Sequence, residues 1–228
     1  MLGQKFTSRA AASEAAAQAI AALVMRRLEG QYKASLVVAG GTTPRQCYEV
    51  LTNLKLDWPN VSIVLGDERW VPPDHEDSNE RLVRETLLKG RAAAAALLPV
   101  YKSGSDPVER SAEINAEIRQ LPFPFSCALL GMGEDGHFAS LFPDAENLSA
   151  ALDPDNLNLC LPVETAASPY PRVSLTLSAL SRSDQIVLLL FGDRKRAVLE
   201  AAMSSDSDLP VSRLLLQKRA PVSIFWAP

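Results

Sequence analysis

Two residues well equipped to move a proton, Asp135 and His137, stand two positions apart in this chain, joined by Gly136. An imidazole takes a proton from water near neutral pH, and a carboxylate beside it fixes its tautomer and raises its basicity. Either group could act directly, and a structural histidine satisfied in a tight loop would share the same local spelling. The stretch Gly131-Met-Gly-Glu-Asp-Gly136 also matches the dinucleotide fingerprint G-x-G-x-x-G. That fingerprint needs a long helix beginning inside it, whereas Pro143 follows only seven residues after Gly136. Nicotinamide binding is therefore not expected.

Other segments carry anion chemistry. Gly40-Gly41-Thr42-Thr43-Pro44 joins an apolar run to a helix start, so free backbone N–H groups and the positive helix end converge there, as a phosphate requires. A tight turn before a capped helix has the same pattern; two adjacent glycines favour the anion because they let it approach the backbone closely. Gly66-Asp67-Glu68-Arg69-Trp70 sets two acids and a base directly after another apolar run, and alone it reads as a local ion pair. Arg172 and Lys195 are either surface charges or the counter-charges of a phosphate, since both lie near predicted element ends on the loop side. Arg45, Arg194 and Arg196 are weaker rivals, and His75 in Pro72-Pro-Asp-His-Glu-Asp77 reads as a solvated loop residue.

These residues need elements to hold them. The alanine-rich start predicts an amphipathic helix over Ser8–Leu28; Glu14 and Gln18 interrupt its apolar run and Arg26 and Arg27 close it, unlike a secretion signal. Ser35–Ala39, Val61–Leu65, Ser126–Leu130 and Ile186–Phe191 read as buried parallel strands, and Val222–Trp226 as a last one. Helices are expected after Thr42 and Thr43 as caps with Pro44 in the first turn, from near Ser78, and over Asp193–Met203. Strands alternating with helices imply a mostly parallel sheet covered on both faces. Such sheets bind ligands beyond the carboxyl ends of their strands, where the loops 40–43, 66–70, 131–143 and 192–195 collect.

The 228 residues, 47% hydrophobic, fit one large α/β domain over residues 1–228. With 23 Lys and Arg against 27 Asp and Glu, the chain carries a formal charge of −4 and has no general attraction for nucleic acid or membrane lipid, so any anion site is local. Cys47, Cys127 and Cys160 lack the spacing of a zinc or redox site and are expected reduced and buried, and two histidines are too few for a histidine-rich metal cluster. No metal and no cofactor are expected. The longest strongly apolar run, Ile186–Phe191, is too short to cross a bilayer, and a cytoplasmic location is expected.

Four blocks together closely resemble the family of 6-phosphogluconolactonases and glucosamine-6-phosphate deaminase/isomerases, and its lactonase branch in particular. They are Gly40-Gly-Thr-Thr-Pro44; Gly66-Asp-Glu-Arg-Trp-Val-Pro72 with Asp77-Ser-Asn79; Gly131-Met-Gly-Glu-Asp-Gly-His-Phe-Ala-Ser-Leu-Phe-Pro143; and Arg172-Val-Ser-Leu-Thr-Leu177 leading to Gly192-Asp-Arg-Lys195. Within the third block the deaminases look like D-G-H-I-A-F-N-E-P, and here Phe142 stands where their glutamate would. Thr42 stands where many lactonases have serine, and Val222–Pro228 lacks the acid expected after the final strand.

The resemblance implies a three-layer α/β/α fold with a mostly parallel Rossmann-like sheet, of the NagB/RpiA/CoA-transferase-like kind. It implies hydrolysis of 6-phospho-D-glucono-1,5-lactone by a monomer or weak homodimer with no cofactor. The phosphate would rest on Gly40, Gly41, Thr42 and Thr43, with Asp67, Arg172 and Lys195 lining the same site. His137, oriented or helped by Asp135, would draw a proton from water; Arg69 would meet the oxyanion or the phosphate. The alternatives are a glucosamine-6-phosphate deaminase/isomerase and a sugar-phosphate-binding protein without turnover.

Overall fold

The computed structural model describes residues 3–204 and 206–228, and its chain alternates short apolar strands with helices. After the two-residue strand β1 (Gln4–Lys5) comes the alanine-rich helix α1 (Arg9–Gln31). Ser8 caps α1 by accepting from the Ala11 N–H, and Tyr32, at φ 61°, caps its other end, so that the helix runs three residues beyond the expected Leu28. Ala12, Ala16, Ala17, Ile20, Ala21 and Val24 recur at helical spacing and are buried. Small side chains on that stripe let α1 lie close against the sheet and the next helix.

The remaining elements are β2 (Ala34–Val38), α2 (Arg45–Leu51), β3 (Val61–Leu65), β4 (Asp67–Arg69), α3 (Asn79–Thr86), β5 (Ala96–Leu98), α4 (Pro107–Ile118), β6 (Cys127–Leu130), α5 (Leu148–Ala151), β7 (Cys160–Val163), β8 (Arg172–Leu175), α6 (Leu177–Leu180), β9 (Ile186–Phe191), α7 (Asp193–Ala202), α8 (Pro210–Leu216) and β10 (Val222–Ala227). Seven strands form one parallel sheet in the order β1-β10-β9-β6-β2-β3-β5. Every residue of β2 and β6 is buried, and only Phe191 of β9 is not, because helices cover both faces in three layers. That double coverage is why these strands read as unbroken apolar runs rather than alternating ones.

Beside this sheet stands a second, antiparallel one, β4-β8-β7, that local sequence does not predict. Residues 67–69, expected in the loop after β3, instead turn at Gly66 and pair with β8 in the register Asp67↔Ser174, Glu68↔Val173 and Arg69↔Arg172. A strand of three polar residues is made by its distant partner, not by its own propensity. Helix α4 is likewise unanticipated. Asp106 caps it through the N–H groups of Val108 and Glu109, and its buried Asn115 bonds the backbone of Leu159 and Cys160, tying it to β7.

At α2 the expected capping does not occur. Pro44 is the N-cap, no side chain among the described residues caps the helix, and Thr42 and Thr43 lie in the turn before it. Their hydroxyls are thereby left for the loop side. The three cysteines are buried and unpaired; burial pushes the thiols of Cys47 and Cys160 up to about 12 and that of Cys127 higher still. No helix among the described residues is long and apolar enough to cross a membrane.

Candidate active site

The loop after β6 folds back on itself through Gly133, whose N–H donates to the His137 carbonyl at 2.8 Å while its own carbonyl accepts from Gly136 at 3.2 Å. Gly136 sits at φ +80°, the left-handed region that favours glycine. This bend sets Nδ1 of His137 2.6 Å from Oδ1 of Asp135. With the carboxylate ionised, Nδ1 carries the proton and donates it, so Nε2 is left as the basic atom. A Cβ on Gly133 would lie 2.3 Å from both Asp135 Oδ1 and His137 Nδ1. The glycines that imitate a dinucleotide fingerprint therefore make room for this pair, and residues 131–147 contain no helix.

The Gly40-Gly41 turn is built from beneath. Tyr48, fully buried, donates its hydroxyl to the Ala39 carbonyl at 2.5 Å. A Cβ on Gly40 would fall 1.9 Å from Oδ1 of Asn79, so this glycine serves a neighbouring side chain, whereas Gly41, at φ +80°, opens onto free space. Asn79 also donates to the Asp67 carbonyl at 2.9 Å and thus ties the ends of β2 and β3 together. Asn79 is fixed in turn by Glu68. The Glu68 carboxylate accepts from the N–H groups of Arg69, Asn79 and Glu80 and from the Ser78 hydroxyl, holding the start of α3. Burial pushes the Glu68 carboxyl up to about 7 against the downward pull of those N–H donors.

The antiparallel sheet contributes the cations. Arg69 and Arg172 are directly opposed across β4 and β8, where like charges repel. Arg69 donates Nη1 to the Asp77 carbonyl, while its buried Nε has no partner among the described residues. Arg172 lies 3.6 Å from the Asp67 carboxylate and donates Nε to the Ser168 hydroxyl at 3.1 Å. Asp67 accepts from the fully buried Ser140 hydroxyl at 2.6 Å, and Ser140 receives in turn a long contact of 3.4 Å from Arg172. Burial lowers the Arg172 pKa from its ordinary value, with Asp67 opposing and Arg69 adding to the shift. Lys195, in the first turn of α7, is half-buried and lowered by burial too; it makes no ion pair among the described residues.

The loops and the smaller sheet together enclose one cavity of about 280 Å³ at the carboxyl end of the parallel sheet. Gly40, Gly41, Thr42, Thr43, Asp67, Arg69, His137, Arg172 and Lys195 line it, together with Asn79. Asp135 stands behind the imidazole and does not line it. Three cations therefore face a single carboxylate around a space suited to a small anion, with one imidazole able to exchange a proton there. Among the described residues no three His, Cys, Asp or Glu side chains come together as a metal site would require.

The weaker rivals lie apart: Arg45 lines a different groove with Glu49 and Glu85, Arg194 pairs with Glu134 while largely exposed, and Arg196 pairs with Glu200 and covers the Trp226 ring. His75 stands in its loop outside the cavity with its side chain 35% exposed, its Nδ1 accepting from the Asp77 N–H and its ring set edge-on to Tyr170. Sequence reasoning misses Asn79, Ser140 and Glu68 as builders of the site. Each acts on a residue far along the chain, and the one local signal is their place inside the motif blocks.

The model of the family described as glucosamine-6-phosphate isomerases/6-phosphogluconolactonase matches residues 7–226. A 6-phosphogluconolactonase of Caulobacter vibrioides is 39% identical over 226 residues, covering 98% of this chain and 96% of that protein. One of Pseudomonas aeruginosa is 37% identical over 227 residues, covering 99% and 94%. The crystal structure of a 6-phosphogluconolactonase from Shewanella baltica superposes with a TM-score of 0.94 at 36% identity, covering 99% of this chain and 97% of that one.

Proposed function

Because the chain belongs to the family of glucosamine-6-phosphate isomerases and 6-phosphogluconolactonases, we propose that it hydrolyses 6-phospho-D-glucono-1,5-lactone to 6-phospho-D-gluconate, the second step of the oxidative pentose phosphate pathway, with His137 as general base. The observation that carries the site assignment is that His137 and the Gly40-Gly41 turn line one cavity of about 280 Å³, together with two of its cations, Arg172 and Lys195. One end of a hexose phosphate can be gripped there while its other end meets the imidazole.

The phosphate rests on the backbone of Gly40 to Thr43 and on the two threonine hydroxyls, with Arg172 and Lys195 as counter-charges. Burial lowers both pKa values despite Asp67 beside Arg172 and Glu134 near Lys195, so an arriving phosphate adds the compensating charge that these desolvated cations lack. Asp67 serves as the ground on which Arg172 is set. At the other end, His137 Nε2 takes a proton from water as its oxygen bonds to C1, and Asp135 steadies the imidazolium that forms. The C1 carbonyl oxygen becomes an oxyanion facing Arg69 and loop N–H groups, an effect commonly worth ~3 kcal/mol per donor. As the intermediate collapses, the bond from C1 to the ring oxygen breaks and His137 returns the proton to that oxygen. The carboxylic acid product then ionises.

Freshly prepared lactone, followed by acid release at constant pH, tests the reading. Turnover must exceed the spontaneous opening of the lactone, and glucosamine 6-phosphate must yield no ammonia; a rate equal to the blank refutes the proposal. We propose the cytoplasm as the place of action, in keeping with three buried thiols that stay unpaired.

A further inference from the structure

Phe142 does not line the cavity, yet its ring touches two groups that do. Its centroid lies 4.2 Å from that of the His137 imidazole at an interplanar angle of 34°, and the Arg172 guanidinium carbon lies 5.1 Å from it. The chain reaches this position by a tight turn. Leu141 donates its N–H to the Phe138 carbonyl at 3.0 Å, and Ala139 takes φ +48°, a left-handed conformation that a non-glycine residue adopts only when its surroundings enforce it. The reversal brings Phe142 back onto His137, five residues earlier.

What seats the ring is separate from the main core. Phe142 is 5% exposed and belongs to a small apolar cluster with Ala145 and Val163 of β7, against which Leu148 packs. That cluster is anchored through β7 to the antiparallel sheet that bears Arg172. One ring thus joins the loop that carries the imidazole to the sheet that carries the guanidinium.

We infer that Phe142 is a positioning residue that sets the distance between the proton-transfer end and the phosphate end of the substrate site. Its face fixes the swing of the imidazole, whose Nδ1 is already held by Asp135, so Nε2 has one direction available. The same ring gives the Arg172 guanidinium a cation–π surface that leaves its outer N–H groups for the ligand. The inference rests on the assignment of His137 to proton transfer and Arg172 to phosphate, and it makes a claim that neither assignment makes: a residue outside the cavity governs kcat and KM together.

The test is steady-state lactone hydrolysis by full-length Phe142→Leu and Phe142→Tyr beside two reference variants, His137→Ala and Arg172→Gln. Leucine keeps an apolar filling without a ring face, and tyrosine keeps the face. Expected for Phe142→Leu are a fall in kcat of about tenfold and a rise in KM of about fivefold, as sub-ångström misplacement of both ends would cause. Phe142→Tyr is expected to restore both constants to within about twofold of the parent, because its ring offers the same face. Should the references behave as assigned while Phe142→Leu keeps both constants, or Phe142→Tyr do no better than leucine, the inference is overturned and the assignment stands. References without effect overturn the assignment and the inference with it. If Phe142→Leu does not fold, Phe142→Met, which adapts to irregular apolar space, takes its place with the same expected losses.

Discussion

The two sheets of this molecule contribute in different ways. The parallel sheet offers its site chiefly loop backbone and residues that follow strand ends: the Gly40-Gly41 turn after β2, the His137 loop after β6, and Lys195 just beyond β9. The antiparallel sheet presents residues from within strands, and pairing register alone decides that Arg69 and Arg172 stand opposite each other. Loops supply the group that must be aimed, and a ladder supplies charges whose mutual spacing is fixed. Setting two guanidinium groups face to face is unfavourable without an anion, so the smaller sheet reads as a piece of binding apparatus rather than as a source of stability.

His137→Ala should break this contrast most deeply. Removing the base from its loop should lower kcat by about a hundredfold or more while leaving the melting temperature close to that of the parent; normal turnover would take His137 out of the mechanism. Next comes Arg69→Gln, expected to lower kcat by about a hundredfold with a smaller change in KM, as loss of an oxyanion donor does. A rise confined to KM would move Arg69 to the phosphate and make the antiparallel sheet purely a binding device. Arg172→Gln should raise KM by about tenfold, corresponding to ~1.4 kcal/mol, and change kcat little. Steady-state kinetics on these single variants separates the three outcomes.

The smallest effect concerns what holds the two regions together. The folded-state pKa of Glu68 is raised from 4.5 to about 7, so the folded protein binds more protons than the unfolded chain in between. The stability this group contributes is fully present below 4.5 and is lost as pH rises through about 7. Measured by urea unfolding, the parent should therefore lose stability relative to Glu68→Gln as pH is raised across that window. A difference independent of pH would mean that the hydrogen bonds from Arg69, Asn79, Glu80 and Ser78, rather than burial, govern this carboxyl.

The order of strand, turn and helix is legible from sequence for β2, β3, β6 and β9, because each is a buried apolar run that ends in glycine, as Val61–Leu65 into Gly66 and Ile186–Phe191 into Gly192. Strands β1 and β5, of two and three residues, carry no such run and are not anticipated. The topological rule for such sheets then gathers the loops and, with them, the lining of the cavity. Strand β4 resists the same reasoning, since Asp67-Glu-Arg69 has nothing strand-like until β8 pairs with it. Asn79 and Ser140 resist it for a related cause. Asn79 fills the space left by Gly40, and Ser140 meets Asp67 across 73 positions of chain, so neither role has a local periodicity to announce it. The adjacent glycines at 40 and 41 show how one motif can hold two unrelated requirements, a side chain pressing on the first and a positive φ at the second.

The strand order also says something about how this molecule comes into being. Strand β10 lies between β1 and β9, so Gln4 and Lys5 have no ladder to join until residues 222 to 227 have been synthesised. On a ribosome the sheet can grow outward from β2 and β3 through β6 to β9, and there it must wait with an open edge beside Gly192, whose N–H is received by the Ala227 carbonyl. Until that carbonyl arrives, the turn that leads to Lys195 is unbraced and the flank of β9 is a template for any passing extended chain. Nascent molecules are therefore open to misassociation along β9 until residues 222 to 227 pair with it.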